Sequence, residues 1–298
     1  MPRSASDRIS VIRDDQLVPL IPLANALDLR SIQPWRGILL EHHKTGNIEI
    51  PEHEHNDFCL HLQLSGSVNL EWWSEGSNGL EQTRPGSLVL LTAGTRDRLR
   101  WDGSSDRLIL SITPDFMAHM AEDLGSSHKV EFANQWSLQD PSLQHVLLEM
   151  GRESAAGWPL GSLYADLLGT SLASLLLRRH STNPVVPAQL KGGLSFAQLR
   201  RILEFITANL HTDLRLAQMA TELSMTPFHF VRLFRNSLGT SPYQYVLDQR
   251  LRRAQALLKT SSLSVQAIAG LTGWNSAANF VRTFRQQFGV TPQRWRSL

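Results

Sequence analysis

The sequence predicts an α+β chain of more than one domain. An N-terminal antiparallel β-barrel with flanking helices is followed by an all-α domain of two helix-turn-helix motifs joined by a long helix. Three observations predict this. The segment Phe230-Val231-Arg232-Leu233-Phe234-Arg235-Asn236-Ser237-Leu238-Gly239-Thr240-Ser241-Pro242 recurs 50 residues on as Phe280-Val281-Arg282-Thr283-Phe284-Arg285-Gln286-Gln287-Phe288-Gly289-Val290-Thr291-Pro292, sharing seven identities in register. Charge is split: residues 194–298 carry 13 Lys/Arg against 4 Asp/Glu, and residues 1–193 carry 16 against 23. Hydropathy alternates with period two through 37–113 and is helical beyond.

With 298 residues, 42% of them hydrophobic, the chain has material for two ordinary cores. The acidic half joined to a basic half reads as two functions, the basic half a candidate for nucleic acid. The single cysteine, Cys59, excludes an intrachain disulfide and suits a reducing compartment. No run approaches the roughly 18 apolar residues of a membrane span, and the N-terminus lacks the apolar region of a signal peptide. A cytoplasmic protein with no membrane partner is expected.

Residues 1–36 read as a lead-in segment with Pro19, Pro22 and Pro34. Within 37–113, short runs at 38–42, 58–64, 68–72, 87–91, 98–101 and 108–112 predict strands, with turns at Ser65-Gly66-Ser67, Arg84-Pro85-Gly86 and Asp102-Gly103. This spacing suits a small barrel or a double-sheet jelly roll. Residues 114–181 are helical, over 114–124, 139–152 and 161–179. The last carries a broad stripe, Leu163, Leu167, Leu168, Leu172, Leu175 and Leu176, suited to pack on the barrel or on a second copy of the chain. Residues 182–194, rich in Pro and Gly, are the linker. From 195 to 298 the pattern is all helix, with Thr226 capping one repeat, Asn275 the other, and a long helix over 242–259 between them.

In each repeat the aromatics lie one turn apart on one face, and Gly then Pro ends the helix. A short helix containing a small residue precedes each: Leu216-Ala217-Gln218-Met219-Ala220 and Val265-Gln266-Ala267-Ile268-Ala269. Short helix, tight break and capped helix with exposed Arg make a helix-turn-helix, whose second helix enters the DNA major groove. Arg232 and Arg282 fall off the apolar face where a guanine reader belongs, and Arg235 and Arg285 lie nearer the C-terminal end, placed for phosphate. The 18 residues of the joining helix span roughly 27 Å, close to the ~34 Å between successive major-groove faces on one side of DNA.

These residues carry a resemblance. With Ser224, Gly239-Thr240-Ser241-Pro242-Tyr243-Gln244-Tyr245, Arg250-Leu251-Arg252-Arg253-Ala254, Gly273-Trp274 and Trp295-Arg296, residues 195–298 resemble the DNA-binding domain of AraC/XylS transcription regulators. Trp274 stands where that family usually has Phe, Trp295 where it often has Tyr, and Asn279 where Tyr is common. The resemblance implies that Phe228, His229, Val231 and Arg232 lie at the first DNA surface, and Ala278, Asn279 and Arg282 at the second. Asn279 is of a type that reads adenine bidentately. It also implies double-stranded DNA, RNA polymerase and a small-molecule effector as partners, with homodimerisation through 114–181, and no catalytic residues or cofactor.

Residues 37–113, with His53-Glu54-His55, Gly66 and Pro85-Gly86, resemble the cupin-like barrel that serves many such regulators as ligand sensor. An enzymatic cupin would hold a metal with His-x-His, a following Glu and a later His. Positions 59–61 are Cys59, Leu60 and His61, and Thr95-Arg96-Asp97 supplies no histidine; His61 is the one residue near enough in sequence to complete a site, His42 and His43 lie on a neighbouring strand, and no metal site is expected. A small-molecule pocket lined by Phe58, Leu60, Leu62, Trp72 and Trp101 is expected instead, although these could equally be plain core. Two rival readings stay open: a metal-dependent cupin enzyme with a DNA-binding appendage, and an architectural DNA binder without an effector.

Overall fold

The computed structural model describes residues 8–21, 34–124, 126, 129–184 and 192–297. Parts of the expected lead-in (1–7 and 22–33) and linker (185–191) lie outside these. The chain forms two compact units: Met1–Gly157 with Leu168–Pro187, and Trp158–Leu167 with Ala188–Leu298.

In the N-terminal unit the strands are β1 (Ser10–Arg13), β2 (Gln16–Pro19), β3 (Ile38–Thr45), β4 (Ile48–Glu54), β5 (Phe58–Ser65), β6 (Val68–Ser74), β7 (Ser77–Thr83), β8 (Leu88–Leu91), β9 (Arg96–Trp101), β10 (Ser105–Ile112) and β11 (Gln135–Leu138). They pair antiparallel in two sheets, ordered β2-β1-β4-β9-β6-β7 and β11-β8-β5-β10-β3. Among the described residues no ladder joins the sheets, so the expected barrel is open. Its two sheets share one core, in which Ile50, Leu70, Leu99 and Trp101 of the first meet Cys59, Val89, Leu91 and Ile109 of the second. That core holds the two layers together without hydrogen-bonded closure.

Five strands have no clear period-two signal. β1 and β2 are only four residues each, and β4 is interrupted by Pro51. β7 (SNGLEQT) is a largely polar strand at the edge of its sheet, and β11 stands apart among helices. Polar or short edge strands expose little apolar surface, so alternation cannot mark them.

The strand faces correct the expected pocket. Cys59 joins the shared core, so the alternate residues Phe58, Leu60 and Leu62 face the other way. They lie opposite Ile112, Leu110 and Leu108 across the ladder. That face lies under the helices, because a Cβ added at Gly151 would meet Leu108 Cδ1 at 2.7 Å. Of the expected pocket residues only Trp72 and Trp101 belong with the shared core, Trp101 buried there and Trp72 packed partly buried against it. They are packed side chains: Trp72 stacks on Trp136 at 4.6 Å and 6°, and the Arg107 guanidinium sits 4.5 Å over the Trp101 ring.

The helices are α1 (Pro114–Asp123), α2 (Pro141–Ala155) and α3 (Gly161–Arg179). The division between the units falls inside α3. Most of its leucine stripe is consumed within the chain, since Leu163, Leu168, Leu172 and Leu176 are all buried. Asp140 caps α2, accepting from the Ser142 and Leu143 amides at 2.8 and 3.2 Å. It also accepts from Arg179 and His180. Burial pushes its carboxyl up, but the His180, Leu143, Arg179 and Ser142 hydrogen bonds outweigh that and hold it at about 2.

The C-terminal unit contains α4 (Phe196–Asn209), α5 (Leu216–Glu222), α6 (Pro227–Leu238), α7 (Pro242–Thr260), α8 (Val265–Leu271), α9 (Ala277–Phe288) and α10 (Pro292–Arg296). These helices follow the sequence expectation closely, because their limits are set by local caps. The unit has two apolar clusters strung along α7. One joins α4, α5 and α6 to Val246, and the other joins α8 and α9 to Leu251, Ala254 and Leu258.

The first turns of α3 belong to this unit. Leu163 enters the first cluster, Ser162 Oγ donates to Asp213 Oδ2 at 2.5 Å, and Asp166 Oδ2 accepts from the Leu216 amide at 3.1 Å. Burial raises the Asp166 carboxyl to about 6, with Asp213 adding and the Leu216 amide and Arg215 opposing.

The two carboxylates predict opposite pH responses. Asp140 has a folded pKa below its ordinary value, so its contribution is present above about pH 4 and is lost as pH falls towards 2. Asp166 has a raised folded pKa, so its contribution is present below about pH 4 and is lost as pH rises through 6. Urea midpoints measured across this range should show Asp166→Asn flattening the upper window and Asp140→Asn the lower. Equal slopes in variant and parent would refute the assignment.

Candidate nucleic-acid interface

Each motif is built the same way. α5 and α8 place Ala220 and Ala269, both buried, where the following helix packs. The chain then turns through Ser224 at φ 53° in the first motif and Gly273 at φ 78° in the second. Gly273 is required, since an added Cβ would overlap the Leu210 carbonyl and the Arg250 guanidinium.

Thr226 caps α6 through the His229 amide, with Pro227 in its first turn. The cap of α9 is Ser276, which accepts from the Asn279 amide, and not the expected Asn275. Both hydroxyl and amide side chains suit an N-cap, so composition alone did not separate these neighbours. Gly239 and Gly289, at φ 70° and 77°, end the two helices with amide bonds to Arg235 and Arg285 carbonyls. Phe230, Phe234, Phe280 and Phe284 are fully buried and anchor the inner faces.

The outer faces carry the expected DNA residues apart from Asn279. On α6, Arg235 is exposed, and Phe228, His229, Val231 and Arg232 are half-buried. Val231 packs against the first core, and the Arg232 guanidinium lies 6.0 Å from the Phe228 ring centre. Burial and the Arg232 charge hold the His229 imidazole below its ordinary pKa, which keeps it neutral at physiological pH. On α9, Ala278, Arg282 and Arg285 are exposed. With Val281, Gln286 and Thr291 they line a surface groove of about 440 Å³.

Asn279 departs from expectation. It is 4% exposed, its Nδ2 donates to the Pro159 carbonyl at 2.7 Å, and its Oδ1 accepts from Arg282 Nη2 at 2.9 Å. Both ends of the amide are committed, so in this conformation it presents no bidentate face to adenine. The partner comes from Trp158–Leu167, a segment read from sequence as part of the N-terminal helices. Its signal in the sequence was slight: Pro159 and Gly161 before a helix, and Ser162 and Asp166 one turn apart.

The N-terminal unit has a separate cavity of about 670 Å³ beside α1, whose lining includes Phe58, Pro114, Ala118, Glu122, Lys129 and Phe132. Among the expected pocket residues only Phe58 reaches it.

The chain matches the helix-turn-helix domain family over residues 219–297. It is 34% identical over 100 residues to the regulatory protein PocR of Salmonella typhimurium, covering 34% of this chain and 33% of PocR. It is 25% identical over 241 residues to a XylDLEGF operon transcriptional activator of Pseudomonas putida, covering 78% of this chain and 73% of that protein. A solved AraC-type regulator domain from Chromobacterium violaceum aligns at 32% identity, covering 34% of this chain and 90% of that one, with a TM-score of 0.33. The chain thus spans about a third of the length of the first curated relatives it matches.

Proposed function

We propose, on the premise that residues 195–298 form an AraC-type helix-turn-helix domain, that the whole chain is a sequence-specific DNA-binding transcription regulator. The observation that carries this reading is the pairing of α6 and α9. Each is capped, backed by its own core and C-terminated by glycine, and each carries Arg at the same place on its outer face. Two such helices on one chain suit adjacent major-groove faces of one duplex. The match to transcription regulators supports the same conclusion.

On this reading the chain is a cytoplasmic regulator and not an enzyme. Its partners are double-stranded DNA, RNA polymerase, a small-molecule effector and a second copy of itself. The cavity beside α1 is the proposed effector site, and it shares only Phe58 with the residues expected from sequence. An effector acts by binding one arrangement of the chain better than another. The Pro159–Asn279 hydrogen bond is the proposed contact whose loss would release the second reader. Among the described residues no helix is long and apolar enough to cross a membrane.

The test is enrichment of random duplexes by the full chain, followed by binding at several salt concentrations. The expected result is one enriched sequence with two half-sites separated by about 10 base pairs, and affinity that falls steeply with salt. No enrichment, with binding equal on all duplexes, would remove sequence-specific regulation and leave an architectural role.

A further inference from the structure

The sequence offered His53 and His55 as two ligands, with His61 as the candidate to complete a site. The fold supplies a different third ligand, Asp97. β4 and β9 pair with Ile50 opposite Leu99 and His53 opposite Asp97, so β4 has one residue more than its partner across this stretch. That bulge at Pro51-Glu52 turns His53 to the buried side that Ile50 also faces, where plain alternation would send it outward. Asp97 is buried with Leu99 and Trp101 on the alternating inner face of β9. His55 follows the end of β4 and is fixed by amide bonds with the Gly94-Thr95 turn.

The result is a triangle of ligand atoms. His53 Nε2 lies 3.2 Å from His55 Nε2 and 3.5 Å from Asp97 Oδ1, and His55 Nε2 lies 3.1 Å from Asp97 Oδ2. Two atoms bound to one ion at about 2.0–2.1 Å in tetrahedral geometry are roughly 3.4 Å apart, so the triangle has the right size. His53 Nδ1 is 2.9 Å from the Pro51 carbonyl. A carbonyl only accepts, so Nδ1 carries the proton and Nε2 offers its lone pair, the arrangement that orients metal-binding histidines. The Asp97 carboxylate is fully buried, and neither oxygen receives a well-directed hydrogen bond. A buried carboxylate without donors is costly unless a cation accompanies it.

We propose that His53, His55 and Asp97 form a binding site for one divalent first-row transition ion, with Zn²⁺ the representative case. Two imidazoles and a carboxylate suit such ions. All three ligand side chains are almost wholly buried, so the ion is shut off from substrates and serves to tie β4 to β9 at the bulge. It is therefore a structural or sensory metal. The site does not depend on the DNA-binding reading.

The experiment uses the tag-free full chain, stripped with a chelator and titrated with Zn²⁺ or Co²⁺. The expected results are one ion per chain, visible ligand-field bands with Co²⁺, and a Tm that rises with ion concentration. Asp97→Asn keeps the side-chain volume and His53→Gln keeps a polar side chain. Each should lower the affinity at least tenfold and abolish the Tm rise. If the variants do not fold, the parent alone decides: absence of stoichiometric binding and of Co²⁺ bands overturns the site. Folded variants that bind as tightly as the parent also overturn it, since the ion would then sit elsewhere.

Discussion

Phe284→Ala is expected to cost about 3–5 kcal/mol and to unfold the second half of the C-terminal unit before the first. Phe284 is fully buried. Its ring meets Phe280 at 5.6 Å, Phe288 at 4.6 Å and Trp295 at 5.9 Å, so truncation strips several aromatic contacts and leaves a cavity. The cluster it belongs to is distinct from the one around Phe230 and Phe234. Hydrogen exchange should therefore show α8 and α9 losing protection while α5 and α6 keep most of theirs. Phe234→Ala should give the mirror pattern. A uniform loss of protection in either variant would mean that the two clusters fold as one cooperative unit.

Arg232→Ala and Arg282→Ala are each expected to weaken binding to a selected site by about 1–3 kcal/mol and to relax base preference at one position. Arg235→Ala and Arg285→Ala should weaken binding to all sequences alike and reduce the salt slope by about one. The distinction rests on place: Arg232 and Arg282 lie in the N-terminal half of each helix, where base edges come within reach, and Arg235 and Arg285 lie in the last turn. Quantitative gel shifts over a salt series separate the two. Unchanged specificity in Arg232→Ala and Arg282→Ala would sink the base-reader assignment. The pair is also unequal. Arg282 hydrogen-bonds to Asn279 in this conformation, so its release is coupled to that of Asn279, and Arg282→Ala should disturb the second half-site more than Arg232→Ala disturbs the first.

The parts legible in the sequence are those governed by neighbours in the chain. Helix limits followed from Thr226, Gly239 and Gly289, because a cap acts within three or four residues of itself. The outward positions of Arg232 and Arg282 followed from the helical period. β5, β6 and β10 announced themselves by apolar runs, whereas β4 and the polar edge strand β7 did not.

What the sequence determined by itself was the duplicated amphipathic helix, its terminating glycines, its basic charge and the change from sheet to helix. What only the tertiary structure decided were contacts whose partners are far apart in the chain. Asp97 became a candidate ligand because a bulge in β4 set its register against β9. Leu60 and Leu62 left the expected pocket because the shared core took the Cys59 face of β5, while Phe58 reaches the cavity beside α1 instead. Asn279 lost its free amide to the carbonyl of Pro159, 120 residues earlier. Local torsional and capping preferences are written along the sequence, but ladder register and the pairing of buried polar groups depend on which distant segments share a core.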